Sequence, residues 1–211
     1  MQPDPSTGIP TLDRRERRKA RTRGRLLSAA RTLFVERGYH LTRPQDIARV
    51  ADVAAGTFYV YFADKREAFL AFTEQVTDEL LVCTRERVAD AENFEELLQR
   101  ALEALFEYSA ANPGVLHAVS GDAAVGAAEL PPGAGLRDRL AEVLARSIEQ
   151  GMSRGEVPDD YDAELIAHGV TGFIQNALVH AAVRGREGAE VLTHLQRFLT
   201  RALARHPKEM P

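Results

Sequence analysis

Apolar residues recur along this 211-residue chain at three- and four-residue spacing, and no alternating strand-like run of useful length interrupts them. The pattern predicts an all-α protein. Its sharpest segment is 42–65, TRPQDIARVADVAAGTFYVYFADK. Ile47, Ala48 and Ala51 share one face of a helix by the i, i+1, i+4 rule, and the small Ala48 lets a second helix cross closely. Asp52 stands where the chain must bend. Glycine is usual at such a bend, and Asp and Asn are its tolerated substitutes at positive φ. Val53 follows as an apolar plug. Phe58 and Phe62, four apart, give the next helix its inward stripe. The other positions there, Ala54, Ala55, Gly56, Thr57, Val60 and Tyr61, are small, hydroxylated or aromatic, and none is charged. A helix with so slight an outer face fits a major groove, which is about 12 Å wide.

Beyond this segment the periodicity stays helical. A long helix is expected from Lys65 to about Val88, carrying Phe69, Phe72, Val76, Leu80 and Cys83 on one stripe, and it would link the head to the body mechanically. Asn93 with Glu96 reads as the cap of a helix running to Ala111, which Asn112-Pro113-Gly114 ends. A short helix over 115–120 precedes GDAAVGAAELPPGAG (121–135), whose glycines, alanines and prolines read as a mobile loop. Further helices are expected over 136–154, 162–184 and 187–205, with a turn at 155–160.

Charge sharpens this picture. Residues 1–66 hold 14 Lys and Arg against 7 Asp and Glu, whereas residues 67–211 hold 13 against 24. The overall charge of −4 therefore conceals a basic head on an acidic body. Arg14, Arg15, Arg17, Arg18, Lys19, Arg21, Arg23 and Arg25 fall within one short run with a single acid, Glu16. Such a block binds a polyanion or stays solvated. Beside a helix-turn-helix, phosphate binding through counterion release is the better explanation. The acidic body would confine that contact to one end of the molecule. Residues 1–20 are expected to form a flexible basic arm.

The segment from about Arg21 to Leu70 resembles the TetR family of bacterial transcriptional regulators. The motifs that carry the resemblance are RTRGRLLSAARTLFVERGY (21–39), DIARVADV (46–53), GTFYVYF (56–62) and DKREAF (64–69). Farther on, only GMSRGEVPDDYDAE (151–164) resembles a connection found before the dimer-forming helices of that family. The resemblance implies a helix-turn-helix DNA-binding domain over 21–66 and a helical effector-binding and dimerisation domain over 67–211. It implies phosphate contacts at Thr42 and Gln45, and base or phosphate contacts where Ala54, Ala55 and Gly56 open the recognition helix. It places Thr57, Tyr59 and Tyr61 at DNA, and Lys65 on a phosphate. Arg21 and Arg23 of the basic block are expected to join them.

The chain also departs from the family pattern. Ala54 replaces the usual side-chain cap, a loss worth about 0.5–2 kcal/mol. Val60 stands where Arg, His or an aromatic is frequent, and Arg43 where a Thr cap is frequent. Either Thr42 with Gln45 forms a capping box or Pro44 serves as first helical residue. With so few polar groups on the reading helix, base recognition would lean on thymine methyl groups and DNA shape.

The last two predicted helices carry broader apolar faces than one side of a monomer needs. Leu165, Phe173, Leu178, Leu195 and Phe198 are the expected surface of a two-fold homodimer, and the resemblance favours the same arrangement. A dimer would set two reading helices one DNA turn apart, on a near-palindromic site. The resemblance further implies a small-molecule effector in each body. Candidate lining residues are Phe72, Val76, Leu102, Phe106, His117, Phe173, Asn176 and His180, with the loop at 121–135 as a flap over the mouth. The expected function is a repressor that such an effector releases from its operator.

Other classes have less support. There is no Ser elbow, dinucleotide loop or metal-spaced His/Cys cluster, so no enzyme and no cofactor is expected. A nonspecific architectural DNA binder would share the basic arm but has no use for the large acidic body. The lone Cys83 permits no intrachain disulfide and reads as a small apolar residue. Neither a membrane-length apolar run nor a signal-type N-terminus appears, so a cytoplasmic protein is expected.

Overall fold

In the computed structural model, which describes residues 13–121 and 135–203, all regular structure is helical. α1 (Arg14–Leu41), α2 (Pro44–Val50) and α3 (Ala55–Tyr61) precede a long α4 (Lys65–Val88). α5 (Phe94–Ala111), α6 (Val115–Gly121), α7 (Leu136–Ser153), α8 (Ala163–Val183) and α9 (Gly188–Leu203) complete the described residues. These bounds follow the periodicity closely. The stretch 122–134, which holds most of the expected loop and flap, lies outside the described residues, as do 1–12. Among the described residues, no helix is long and apolar enough to cross a membrane.

The arm differs from expectation. Residues 14–20 are not a flexible tail but the opening turns of α1. Arg and Lys are good helix formers, and Glu16 in the first turn suits the positive end of the helix dipole. The chain divides into two compact units between Ala71 and Phe72, inside α4 and a turn beyond the expected boundary. The reason is Phe69, which is buried in the first unit with its ring 5.2 Å from that of Phe34 and 5.1 Å from that of Tyr39.

The first unit comprises α1 to α3 and the start of α4. Leu26, Leu33 and Phe34 from α1, Ile47 from α2, and Phe58 and Phe62 around α3 are all 2% exposed or less. α1 keeps helical geometry until Gly38, where φ of 76° breaks it. The second unit packs α7 along α8 and α9 along α5. Its main core joins Phe94, Leu98 and Leu102 of α5 to Ile148 of α7, Val170 of α8 and Leu199 of α9. A smaller cluster gathers Ala181, Val191 and Leu195, with Phe106 and Leu178 leaning on it.

Local chemistry fixes the helix ends. The Asn93 side-chain oxygen accepts the Glu96 N–H at 2.9 Å, and the Glu96 carboxylate accepts the Glu92 N–H at 2.8 Å, a variant of the capping box. That backbone bond, helped by Arg100, holds the Glu96 carboxyl below its ordinary range. Asp162 caps α8 by accepting the Leu165 N–H at 2.9 Å. α7 closes through Gly155 at φ 73°, with the Gly155 N–H donating to Met152 O at 3.0 Å and the Glu156 N–H to Gly151 O at 2.9 Å. This is the Schellman pattern, and it folds Val157 back over the helix end.

That close approach requires a glycine. A Cβ at position 151 would lie 2.7 Å from Val157 Cγ2 and 3.3 Å from Phe94 Cδ2, both in the core. We expect Gly151→Ala to lower unfolding free energy by about 1–3 kcal/mol, the usual range for overpacking. Gly24→Ala, on α1 where an added Cβ meets nothing within 4 Å, should act with the opposite sign and stabilise by about 0.5–1 kcal/mol. Urea unfolding of the two variants beside the parent checks both signs.

Candidate nucleic-acid interface

The turn between α2 and α3 is built on Asp52, whose φ is 51°. Its N–H donates to Arg49 O at 3.1 Å, and the Val53 N–H donates to Ala48 O at 3.0 Å. These two bonds make another Schellman closure, with aspartate in place of glycine at the left-handed position. Val53 then tucks in behind α2, half-buried, as the plug that the sequence suggests. Arg25 of α1 braces the turn from outside, donating to Asp52 O at 3.0 Å and to its carboxylate at 3.1 Å. Both side chains are well exposed, so the ion pair contributes at most about 1 kcal/mol. Its main effect is to register α1 against the turn.

α2 begins with Pro44 as its first residue, behind Arg43, which makes no side-chain capping bond. The proline start, not a Thr42–Gln45 box, is the one realised. Thr42, expected at phosphate, is instead 1% exposed, and its hydroxyl lies 2.8 Å from Gly38 O and 3.2 Å from Leu33 O. Those carbonyls belong to the end of α1, where the glycine break leaves acceptors that a buried donor must satisfy.

α3 starts at an uncapped Ala54. Phe58 and Phe62 face inward. Ala54, Ala55 and Gly56 are exposed, as are Tyr59 at 52% and Val60 at 70%, whereas Thr57 and Tyr61 are half-buried. Thus α3 presents a face without charge, and a Cβ at Gly56 would meet nothing within 4 Å.

The cations flank this face. Arg14, Arg18, Arg21 and Arg25 recur at i, i+4, i+7 and i+11, so they share one side of α1, the side from which Arg25 reaches the turn. Arg23 places its guanidinium 5.2 Å from the centre of the Phe62 ring, and Gln45 is exposed on α2. Lys65, expected on a phosphate, has inward partners: its ammonium donates to Tyr39 O at 2.8 Å and lies 4.2 Å from the Tyr39 ring centre. A cation at the carboxyl end of a helix complements the dipole there. The sequence puts Val60 on the outer face of α3 and Arg25 in the cationic block, but assigns neither an individual contact. The exposed side of α3 and the i, i+4 spacing in α1 are the signals that point to them.

In the second unit, the eight residues expected to line a pocket are dispersed. Phe72, Val76 and Leu102 are buried and Phe106 is half-buried, while His117, Phe173, Asn176 and His180 are exposed. An open groove of about 920 Å³ runs between α4 and α5, and none of the eight lies on its wall. The wall includes Glu79, Val82, Cys83, Glu107 and Tyr108, with the Tyr108 hydroxyl donating to Glu79 at 2.7 Å. The expected dimer surface also sorts by burial. Leu165 is 69% exposed, Phe198 56% and Phe173 42%, and the two phenylalanine rings stand 5.0 Å apart. Leu178 is half-buried, whereas Leu195, on the inner side of α9, is used up in the chain's own core.

Comparison with known proteins agrees with this geometry. The model for bacterial regulatory proteins of the tetR family matches residues 26–72. The HTH-type transcriptional activator FasR of Mycolicibacterium smegmatis is 35% identical over 86 residues, a match covering 41% of this chain and 39% of FasR. The chain thus spans well under half of that relative's length. The HTH-type transcriptional repressor KstR2 of Mycobacterium tuberculosis is 29% identical over 147 residues, covering 68% of this chain and 73% of the repressor. A TetR-family transcriptional regulator from Pectobacterium atrosepticum, known from its crystal structure, superposes with a TM-score of 0.69 at 27% identity, over 92% of this chain and 98% of that one. The left-handed turn, the bare α3 face and these similarities together identify residues 26–72 as a segment of the kind found in bacterial regulatory proteins of the tetR family.

Proposed function

We propose that this protein is a DNA-binding transcriptional regulator, acting as a homodimeric repressor that a small molecule releases from a near-palindromic operator. The observation that carries the reading is the uncharged, small-faced α3, held by the Asp52 turn beside a cationic side of α1. A helix of this kind can enter a groove while the flanking arginines neutralise phosphates. Gln45, Ala54, Ala55, Gly56, Thr57, Tyr59 and Tyr61 form the reading surface. Arg21 and Arg23 supply charge. Lys65 serves first to hold the end of α1 in place.

Dimerisation would occur through α8 and α9. Leu165, Phe173, Val183 and Phe198 are large apolar residues at 69%, 42%, 79% and 56% exposure on one terminal helix pair. Water-exposed apolar area on that scale is what a symmetric partner covers. Two copies would then present two α3 helices about one DNA turn apart. The effector would enter the second unit, where the groove between α4 and α5 offers both carboxylates and apolar wall. Binding that favours one dimer state by about 1–3 kcal/mol shifts operator affinity roughly 5–150-fold. Similar proteins bear the names activator and repressor, so the sign of regulation rests on where the operator lies relative to a promoter.

Two outcomes test the reading. Replacing Arg14, Arg15, Arg17 and Arg18 by Gln should flatten the fall of DNA affinity with salt, by about 0.9 in log–log slope for each phosphate no longer neutralised. A slope equal to the parent's would mean that these residues stay off the DNA. Phe173→Arg should yield a monomer in sedimentation while far-ultraviolet circular dichroism stays helical, and a dimeric variant would reject the α8–α9 surface.

A further inference from the structure

We infer that Val60 is a specificity-determining residue that reads the C5-methyl group of a pyrimidine, the feature that marks thymine in the major groove. The inference rests on the DNA-reading role proposed above and adds the chemistry of its recognition.

Helix geometry singles out this side chain. Val60 is two residues beyond Phe58 and two before Phe62, so it is turned about 200° from each. Those two rings are 0% and 1% exposed and define the inward side of α3. Val60 therefore sits at the middle of the outward side and is 70% exposed, more than any other large apolar residue of α3. Gly56 lies one turn before it, and a Cβ there would meet only open space. The front of the helix is thus a low glycine step followed by one protruding isopropyl group, with Tyr59 at its side.

An isopropyl group neither donates nor accepts a hydrogen bond, so it cannot tell guanine from adenine by their acceptors and amino groups. The groove offers it one apolar mark, the C5-methyl of thymine. A polar base edge against Val60 would instead be desolvated without a partner, which is unfavourable. Attraction to a methyl and rejection of a bare polar edge act in the same direction. 5-Methylcytosine carries the same methyl group on a different base pair, so the chemistry predicts that it too would be favoured over cytosine at this position.

The test uses the full-length protein and an operator enriched from random duplexes. Each thymine in a half-site is replaced singly by deoxyuridine, which removes only the methyl. Affinity should drop about fourfold at one position per half-site, the equivalent of one buried methyl group. Val60→Ala, a change on an exposed position, should bind the thymine operator less tightly and lose the deoxyuridine penalty at that position alone. Cytosine and 5-methylcytosine placed there should be distinguished by the parent but not by Val60→Ala. Enrichment of a preferred duplex with no methyl-sensitive position, or a penalty unchanged in Val60→Ala, would overturn the assignment and leave the regulatory reading standing. Failure to enrich any duplex would instead overturn the regulatory reading itself.

Discussion

The head of this protein depends on one backbone conformation. Asp52 adopts φ of 51°, and from it follow the reversal of the chain, the two closing hydrogen bonds to α2 and the angle at which α3 leaves. A left-handed residue is costly for most side chains, and aspartate is among the few that visit it readily. The surroundings then over-determine the turn. Ala48 and Ala51 are buried and small, Val53 fills the inside of the bend, and Arg25 grips the outside. The same closure recurs, with glycine, at Gly155 and Gly185, where helices also end and the chain turns. These three helix ends share one solution, and the one in the head is further bridged by a cation from another helix.

A second theme is how the head distributes its cations between structure and solvent. Counting charges in the sequence treats every arginine and lysine of residues 1–66 alike. The structure separates them. Arg25 binds the turn, Arg23 lies on the Phe62 ring and Lys65 serves the end of α1. Thr42 belongs with this group as a polar residue whose hydrogen bonds are spent inside. In each case a helix end or ring created a need that the nearest polar side chain meets.

Much of this can be read from the chain itself. The helices follow apolar periodicity, the Asn93–Glu96 cap and the Asp52 bend follow residue chemistry, and Phe58 and Phe62 are where four-residue spacing puts them. What resists is anything decided by a partner distant in sequence. Thr42 cannot be told from a surface hydroxyl without knowing that α1 breaks at Gly38 and leaves carbonyls above it. Leu195 and Phe198 belong to one apolar stripe of α9, but the first packs against the chain's own core and the second stays exposed. The start of α1 is hidden because charge density suggests a solvated arm, although arginine and lysine favour helix. The expected pocket rests on hydrophobicity, which does not distinguish the wall of a cavity from the interior of a core.

The neutrality of α3 carries a consequence for how such a protein would behave as conditions in a cell vary. Most of the positive charge of the head resides on α1, whereas the proposed reading face holds alanine, glycine, valine and tyrosine. Overall grip and discrimination then answer to separate variables. A rise in potassium or magnesium would loosen the hold on all duplexes together, because ions compete for phosphate. The ratio between correct and incorrect sites, set by apolar fit, would hardly change. Osmotic stress would alter how many copies are bound while leaving intact the choice of where they bind.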